Sequence, residues 1–201
     1  MSRKAIDGMS VGLQGENLIF AISQPRAGST MLQRMLGSHL DIHTVSEPWL
    51  MLHPLYALRS KGYEAEYNAH LAWLGGQSFL QTLPGGEKEY IEGVRRMYTY
   101  LYERALLNSG KRYFLDKTPR YYFITSELLR TFPKACYIIL LRNPLAVLIS
   151  ILNTWAGESW FSLYKFKYDL TRAPHLLLEA VDVLGKQCAV VHYEQLVRDP
   201  E

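Results

Sequence analysis

The sequence predicts an α/β fold, a mostly parallel central sheet flanked by helices, on three observations. Short apolar runs that read as buried strands alternate with longer stretches of helical period along the chain. The first run, Leu18-Ile19-Phe20-Ala21-Ile22, feeds a tight polar loop and then a helix. A later run, Tyr137-Ile138-Ile139-Leu140-Leu141, ends abruptly in Arg142 and a helix start at Asn143-Pro144. Strands alternating with helices place helices on both faces of such a sheet.

In chain order, residues 1–16 read as a loose lead-in and 17–23 as the first strand, followed by a helix to about Ser38. Residues 42–46 form a short second strand ending at Glu47. Residues 48–85 carry aromatics and the turn signals Gly75-Gly76 and Pro84-Gly85-Gly86, and read as a helical insertion. Ile91, Val94, Met97, Tyr98, Leu101, Ala105 and Leu106 mark a helix over Lys88 to Asn108, stopped by Gly110. Tyr113-Phe114-Leu115 is the third strand, leading into Asp116-Lys117. Residues 121–131 are a helix ending before Pro133, and 135–141 the fourth strand. A helix then runs to about Trp155, and an aromatic connection occupies 156–171. A helix over 174–184 precedes a last strand at 188–192. No internal repeat or low-complexity tract interrupts this order.

Composition bounds the answer further. The 201 residues, 48% of them hydrophobic, suffice for one domain with a substantial core. A net charge of +3 is no nucleic-acid signature, though it suits an anionic ligand. Cys136 and Cys188 lack metal-ligand spacing and make no secreted disulfide framework; both read as buried free thiols at the start of strands. With no signal peptide and no run long enough to span a membrane, the expectation is a soluble, cytoplasmic protein.

The loop Ser23-Gln24-Pro25-Arg26-Ala27-Gly28-Ser29-Thr30 carries the chemistry. Gly28 lets the backbone approach a ligand, and Ser29 and Thr30 bring hydroxyls and amides to a helix N-terminus, where anions bind. Arg26 adds a fork of donors matched to phosphate or sulfate oxygens. A Walker A loop needs a lysine straight after its second glycine. Here no lysine follows Gly28, and the cation comes two residues earlier, which disfavours an ordinary ATP or GTP site. Arg142, at the carboxyl end of a strand, points to the crevice where open α/β sheets bind ligands, and Ser150 can share a phosphate with it. Each feature alone also fits a polar turn or a surface ion pair.

Together these segments resemble the sulfotransferase superfamily, which uses 3′-phosphoadenosine 5′-phosphosulfate. Pro25-Arg26-Ala27-Gly28-Ser29-Thr30 is similar to its 5′-phosphosulfate loop, and Arg142 with Ser150 to its 3′-phosphate motif. Asp116-Lys117-Thr118-Pro119-Arg120-Tyr121-Tyr122 resembles a segment common in bacterial and Golgi-type members, and Val191-His192-Tyr193-Glu194-Gln195-Leu196-Val197-Arg198-Asp199-Pro200-Glu201 a terminal one. The four motifs fall in the family order across residues 18–201. The resemblance is closest to the bacterial and tyrosylprotein branch, and implies a P-loop NTPase-like sulfotransferase fold. One departure stands out: that branch has a second arginine twelve residues after Arg142, where this sequence has Thr154.

The resemblance implies sulfuryl transfer to an acceptor hydroxyl or amine by in-line displacement. Glu47, 21 residues beyond Arg26, is the implied base. Arg26 and Lys117 offset charge on the departing phosphate, and the co-substrate is held by Arg26, Ala27, Gly28, Ser29, Thr30, Arg142, Ser150 and Tyr193. No metal is implied. His39 and His43 are the alternative bases, expected on the loop surface. Trp49, Trp73, Trp155 and Trp160 read as packing residues, with one or two lining an acceptor cleft. The acceptor (carbohydrate, peptide tyrosine, lipid or small molecule) is left open, and the insertion at 48–85 is the natural place to select it. The family usually continues with a segment that closes over the nucleotide, so residues 1–201 are expected to be one domain without it. The rival readings are a nucleotide kinase-like phosphotransferase and a non-catalytic nucleotide-binding module.

Overall fold

The computed structural model describes residues 11–157 and 159–199. Residues 1–10 of the expected lead-in, and Pro200 and Glu201 of the terminal motif, lie outside the described residues. Five strands, β1 Leu18–Ser23, β2 Ile42–Thr44, β3 Tyr113–Lys117, β4 Cys136–Leu141 and β5 Cys188–His192, form one sheet. Their order is β2-β3-β1-β4-β5, and every neighbouring pair is parallel.

Parallel neighbours need long crossovers, and helices supply them. Helix α1 (Ser29–Gly37) links β1 to β2, while α2 (Leu52–Tyr56), α3 (Ala69–Leu80) and α4 (Glu87–Ser109) lie between β2 and β3. A 3₁₀ turn at Pro119–Phe123 and α5 (Thr125–Thr131) lead to β4. Helix α6 (Pro144–Thr154), a 3₁₀ turn at Phe161–Phe166, α7 (Lys167–Thr171) and α8 (Ala173–Leu184) lead to β5, and α9 (Tyr193–Arg198) follows it. Asn143 caps α6, its side chain accepting the Leu145 N–H at 2.9 Å, with Pro144 as the first helical residue. Gly110, at φ 69, closes α4 in the left-handed conformation.

The sheet divides the core into two layers because strand side chains alternate. Phe20, Ile22, Tyr137 and Ile139 face Tyr102 and Leu106 of α4, Leu128 of α5 and Leu177 of α8. Ile138, Leu140 and Val191 face the other way, against Leu32 of α1, Val147 and Ile151 of α6 and Leu196 of α9. Phe20 is the hub of the first layer, with ring centroids of Tyr102, Tyr121, Phe132 and Tyr137 within 6.4 Å.

Several boundaries differ from expectation for physical reasons. β2 ends at Thr44, because Gln33 of α1 takes the Val45 carbonyl at 2.6 Å. β3 runs on to Lys117, since Asp116 and Lys117 pair in register with Phe20 and Ala21. The helix expected over 121–131 is broken at Ile124, whose φ of −126 is not helical, while the Tyr121 and Tyr122 hydroxyls turn inward to buried carboxylates. The cysteines are not both buried: Cys136 is exposed and Cys188 half-buried. Each opens its strand at the amino edge of the sheet; Cys136 lies between Ala135 and Tyr137, both buried in the first layer, and so points to the opposite face.

This topology places the site. β1 connects to β2 on one side of the sheet, and β4 to β5 on the other. The adjacent strands β1 and β4 therefore leave in opposite directions, and a crevice opens at their carboxyl ends.

Candidate active site

The loop between β1 and α1 turns sharply into that crevice. Arg26 sits at φ 67 and Gly28 at φ 95. Ala27 between them is fully buried in the second core layer, so it can offer a ligand only its backbone. A Cβ on Gly28 would lie 2.3 Å from Cε2 of Tyr193, so only glycine lets α9 close against the loop. Gly28 is the N-cap of α1 and provides no side chain, and the first turn holds no acidic residue. The Ser29 and Thr30 amides thus face the crevice without an intrahelical partner, at the positive end of the helix.

Arg142, just past β4, joins the two halves. Its Nη1 donates to the Arg26 carbonyl at 2.8 Å, and its guanidinium lies 4.2 Å from the Tyr193 ring centroid. Its Nε is shielded from solvent and has no hydrogen-bond partner among the described residues. A buried donor without an acceptor is costly, and an incoming anion oxygen removes that cost. Arg26 Nε donates to Ser150 Oγ at 3.2 Å, and its guanidinium covers the Trp155 ring at 5.5 Å. Thr154 bonds back to the Ser150 carbonyl through its hydroxyl. Glu194 Oε1 accepts the Asn143 N–H at 3.0 Å, which lowers the Glu194 carboxyl and pins the start of α9 to that of α6.

Glu47 enters from the β2 side. Gln33 fixes the chain there by donating to Thr44 Oγ1 at 2.8 Å as well as to Val45. The Glu47 carboxylate accepts from Lys117 Nζ at 2.7 Å. Lys117 itself has a side chain only 3% exposed, so its charge is spent on Glu47 behind the cavity wall. Next to it, Asp116 is fully buried and accepts from Tyr102 at 2.7 Å, Thr118 at 2.8 Å and Tyr121 at 2.9 Å. Burial pushes the Asp116 carboxyl up to about 6 despite these donors.

These groups meet around one cavity of about 530 Å³. Of the ten residues expected in the site, eight line it: Arg26, Gly28, Ser29, Thr30, Glu47, Arg142, Ser150 and Tyr193. Ala27 and Lys117 stand behind the wall. His39 and His43 do not line it. His39 is exposed, and His43, half-buried in β2 rather than on a loop, has its imidazole lowered by burial. Sequence reasoning missed Arg120, which lines the cavity, donates to both carboxylate oxygens of buried Asp169 at 2.8 and 2.7 Å and lies 5.4 Å from the Trp49 ring centroid. Tyr122 also donates to Asp169, at 2.6 Å. Of the tryptophans, Trp49 and Trp155 line the cavity, Trp155 also packing on Phe166, and Trp160 is exposed. With Arg120 paired to Asp169 and Glu47 to Lys117, the guanidinium groups of Arg26 and Arg142 leave the cavity cationic, which suits an anion. Among the described residues, no group of three or more His, Cys, Asp or Glu is placed to hold a metal ion. No described helix is long and apolar enough to cross a membrane.

The fold and this cavity define an open-sheet α/β protein with a cationic crevice at the carboxyl ends of its strands, and comparison makes the class specific. The profile of the Sulfotransferase family matches residues 18–201, and the chain belongs to that family. It is 36% identical over 138 residues to nodulation protein NoeE of Sinorhizobium fredii, covering 69% of this chain and 32% of that protein. It is 27% identical over 190 residues to protein-tyrosine sulfotransferase A of Caenorhabditis elegans, covering 91% of this chain and 46% of that protein. The chain thus spans less than half the length of either relative. The sulfotransferase domain from the curacin biosynthetic pathway shares the fold, with a TM-score of 0.56, 22% identity and coverage of 90% of this chain and 69% of that one.

Proposed function

We propose that this protein transfers a sulfuryl group from 3′-phosphoadenosine 5′-phosphosulfate to an acceptor hydroxyl. The observation that carries the reading is the unpartnered Nε of Arg142 in a cavity that also presents Arg26 and the α1 amides. Two anion-binding poles in one crevice fit a nucleotide phosphorylated at both ends. Arg142 and Ser150 take the 3′-phosphate. Arg26, the Ser29 and Thr30 amides and the Gly28 backbone take the 5′-phosphosulfate, and Tyr193 lies against the nucleotide.

Glu47 is the base. It takes the acceptor proton as the acceptor oxygen bonds to sulfur and the bond from sulfur to the phosphate oxygen breaks, the electron pair leaving with the phosphate. Arg26 and the loop amides offset the charge that gathers there. Lys117 also fixes where the Glu47 carboxylate points. No step needs a metal. Residues 48–85 form the acceptor side of a single domain.

The test is calorimetric titration with adenosine 3′,5′-bisphosphate, adenosine 5′-phosphate and ATP with magnesium. A charge-assisted contact from Arg142 predicts roughly tenfold or greater preference for the 3′-phosphorylated nucleotide. Arg142→Ala removes that preference. Equal binding of adenosine 3′,5′-bisphosphate and adenosine 5′-phosphate, or a preference for magnesium ATP, overturns the reading.

A further inference from the structure

A second cavity, of about 700 Å³, opens beside the first and shares Trp49 and Arg120 with it. Its walls come mainly from α2, α3 and the segment between them, with Trp49, Tyr56, Trp73, Phe79, Tyr90 and Phe123 supplying ring surface. Charge is scarce there. Arg120 is already committed to Asp169, and Glu64 is the one carboxylate in the lining. Two further observations mark the cavity as a ligand site. Trp73 lines it, and its indole N–H is shielded from solvent without a hydrogen-bond acceptor among the described residues. Trp49, in the shared wall, is held at φ 56, a backbone conformation that a bulky residue adopts only under constraint from its surroundings. The Arg120 guanidinium against its ring and the Thr118 hydroxyl on its N–H (3.4 Å) supply that constraint.

Resting on the sulfuryl-transfer reading, we infer that this cavity holds the body of the acceptor. The acceptor is a neutral, predominantly apolar or aromatic alcohol or phenol, and its hydroxyl passes Trp49 toward Glu47. Glu47 lies two residues from Trp49 and lines the donor cavity. The volume matches a drug-sized molecule, and a mostly apolar wall with a few polar groups is how such molecules are held. An oligosaccharide or a charged peptide requires more polar partners than this wall supplies.

The probes are 2-naphthol, tri-N-acetylchitotriose and a short tyrosine-containing peptide. Each is titrated by tryptophan fluorescence and calorimetry, with and without adenosine 3′,5′-bisphosphate. The expected result is that 2-naphthol binds at least about tenfold tighter than either polar probe. Trp73→Ala and the separate variant Phe79→Ala each weaken it about tenfold, with nucleotide affinity within about twofold. Phe79 is 63% exposed, so its truncation leaves the core intact. Tighter binding of the sugar or the peptide overturns the inference, as does naphthol binding that neither variant weakens. If wild-type protein binds naphthol as described but not the nucleotide, the donor reading fails and the cavity assignment stands.

Discussion

Replacing Gly28 by alanine tests whether the loop and α9 are built around one another. Gly28 sits at φ 95, where an L-residue costs about 1–2 kcal/mol. The new Cβ would stand 2.3 and 2.4 Å from two carbons of the Tyr193 ring, so the ring must move. Overpacking of that kind costs about 1–3 kcal/mol. The two effects together give about 2–5 kcal/mol, a melting-temperature loss of about 4–20 °C for a chain of this size. The second consequence is specific to the site. Arg142 lies on the Tyr193 ring, so a displaced ring misplaces the guanidinium. A charge-assisted contact worth about 1.5–3 kcal/mol is then lost, and adenosine 3′,5′-bisphosphate binds roughly 10- to 150-fold more weakly. Thermal melts and calorimetric titration read the two effects separately. Adding Tyr193→Leu to Gly28→Ala relieves the overlap but not the backbone strain, and recovers only part of the lost melting temperature. A Gly28→Ala protein that melts within about 1 °C of wild type and binds the nucleotide equally would refute the reasoning.

Glu47→Gln lowers kcat by about 100- to 10,000-fold while nucleotide affinity changes by less than about threefold; steady-state assay beside calorimetry checks it, and an unchanged kcat removes Glu47 as the base. Asp116 makes stability depend on pH. Its folded-state carboxyl, near 6, lies above the unfolded value of about 3.9, so the folded protein holds the extra proton in that window. The contribution of Asp116 to the unfolding free energy therefore falls as pH rises from about 4 through 6, by roughly 3 kcal/mol, and Asp116→Asn removes it, making that part of the profile less downward-sloping. Urea titrations between pH 4 and 7 decide it, and an equal slope in the Asn variant rejects the assignment. Gly93 lies inside α4 with open space where a Cβ would go, so Gly93→Ala raises the melting temperature by about 1–4 °C; a lower value in a thermal scan contradicts this.

The sheet was legible because its strands are continuous apolar runs bounded by turn chemistry, and parallel pairing buries both faces of such strands. The conformation of the β1–α1 loop was legible because it is written in one short stretch: a glycine at positive φ followed by hydroxyl residues at a helix start. Arg142 carried the same kind of local signal, a charge ending an apolar strand. Arg120 did not. Its role depends on Asp169, 49 residues away, and on the ring of Trp49, and no spacing in the sequence records that meeting. The break at Ile124 was hidden for the same reason, because it serves the hydroxyls of Tyr121 and Tyr122, which reach carboxylates on other elements. The burial expected of Cys136 and Cys188 failed because apolar neighbours indicate a strand but not how far each of its faces is covered.

Two non-glycine residues have positive φ among the described residues, Arg26 and Trp49, and both line the first cavity with Gly28. Strain of this kind costs on the order of 1–3 kcal/mol per residue and persists only where the surroundings hold it. The holding groups can be named. Beside Arg26, buried Ala27 anchors the loop in the second core layer, and the Arg142 guanidinium takes the Arg26 carbonyl. At the start of the loop, Gln24 donates to the Asp169 carbonyl at 2.8 Å, while the Asp169 carboxylate holds Arg120 against Trp49. Asp169 therefore connects both strained residues, one through its backbone and one through its side chain. A cavity braced in this way presents its cations before any anion arrives, so little ordering cost falls on the binding step.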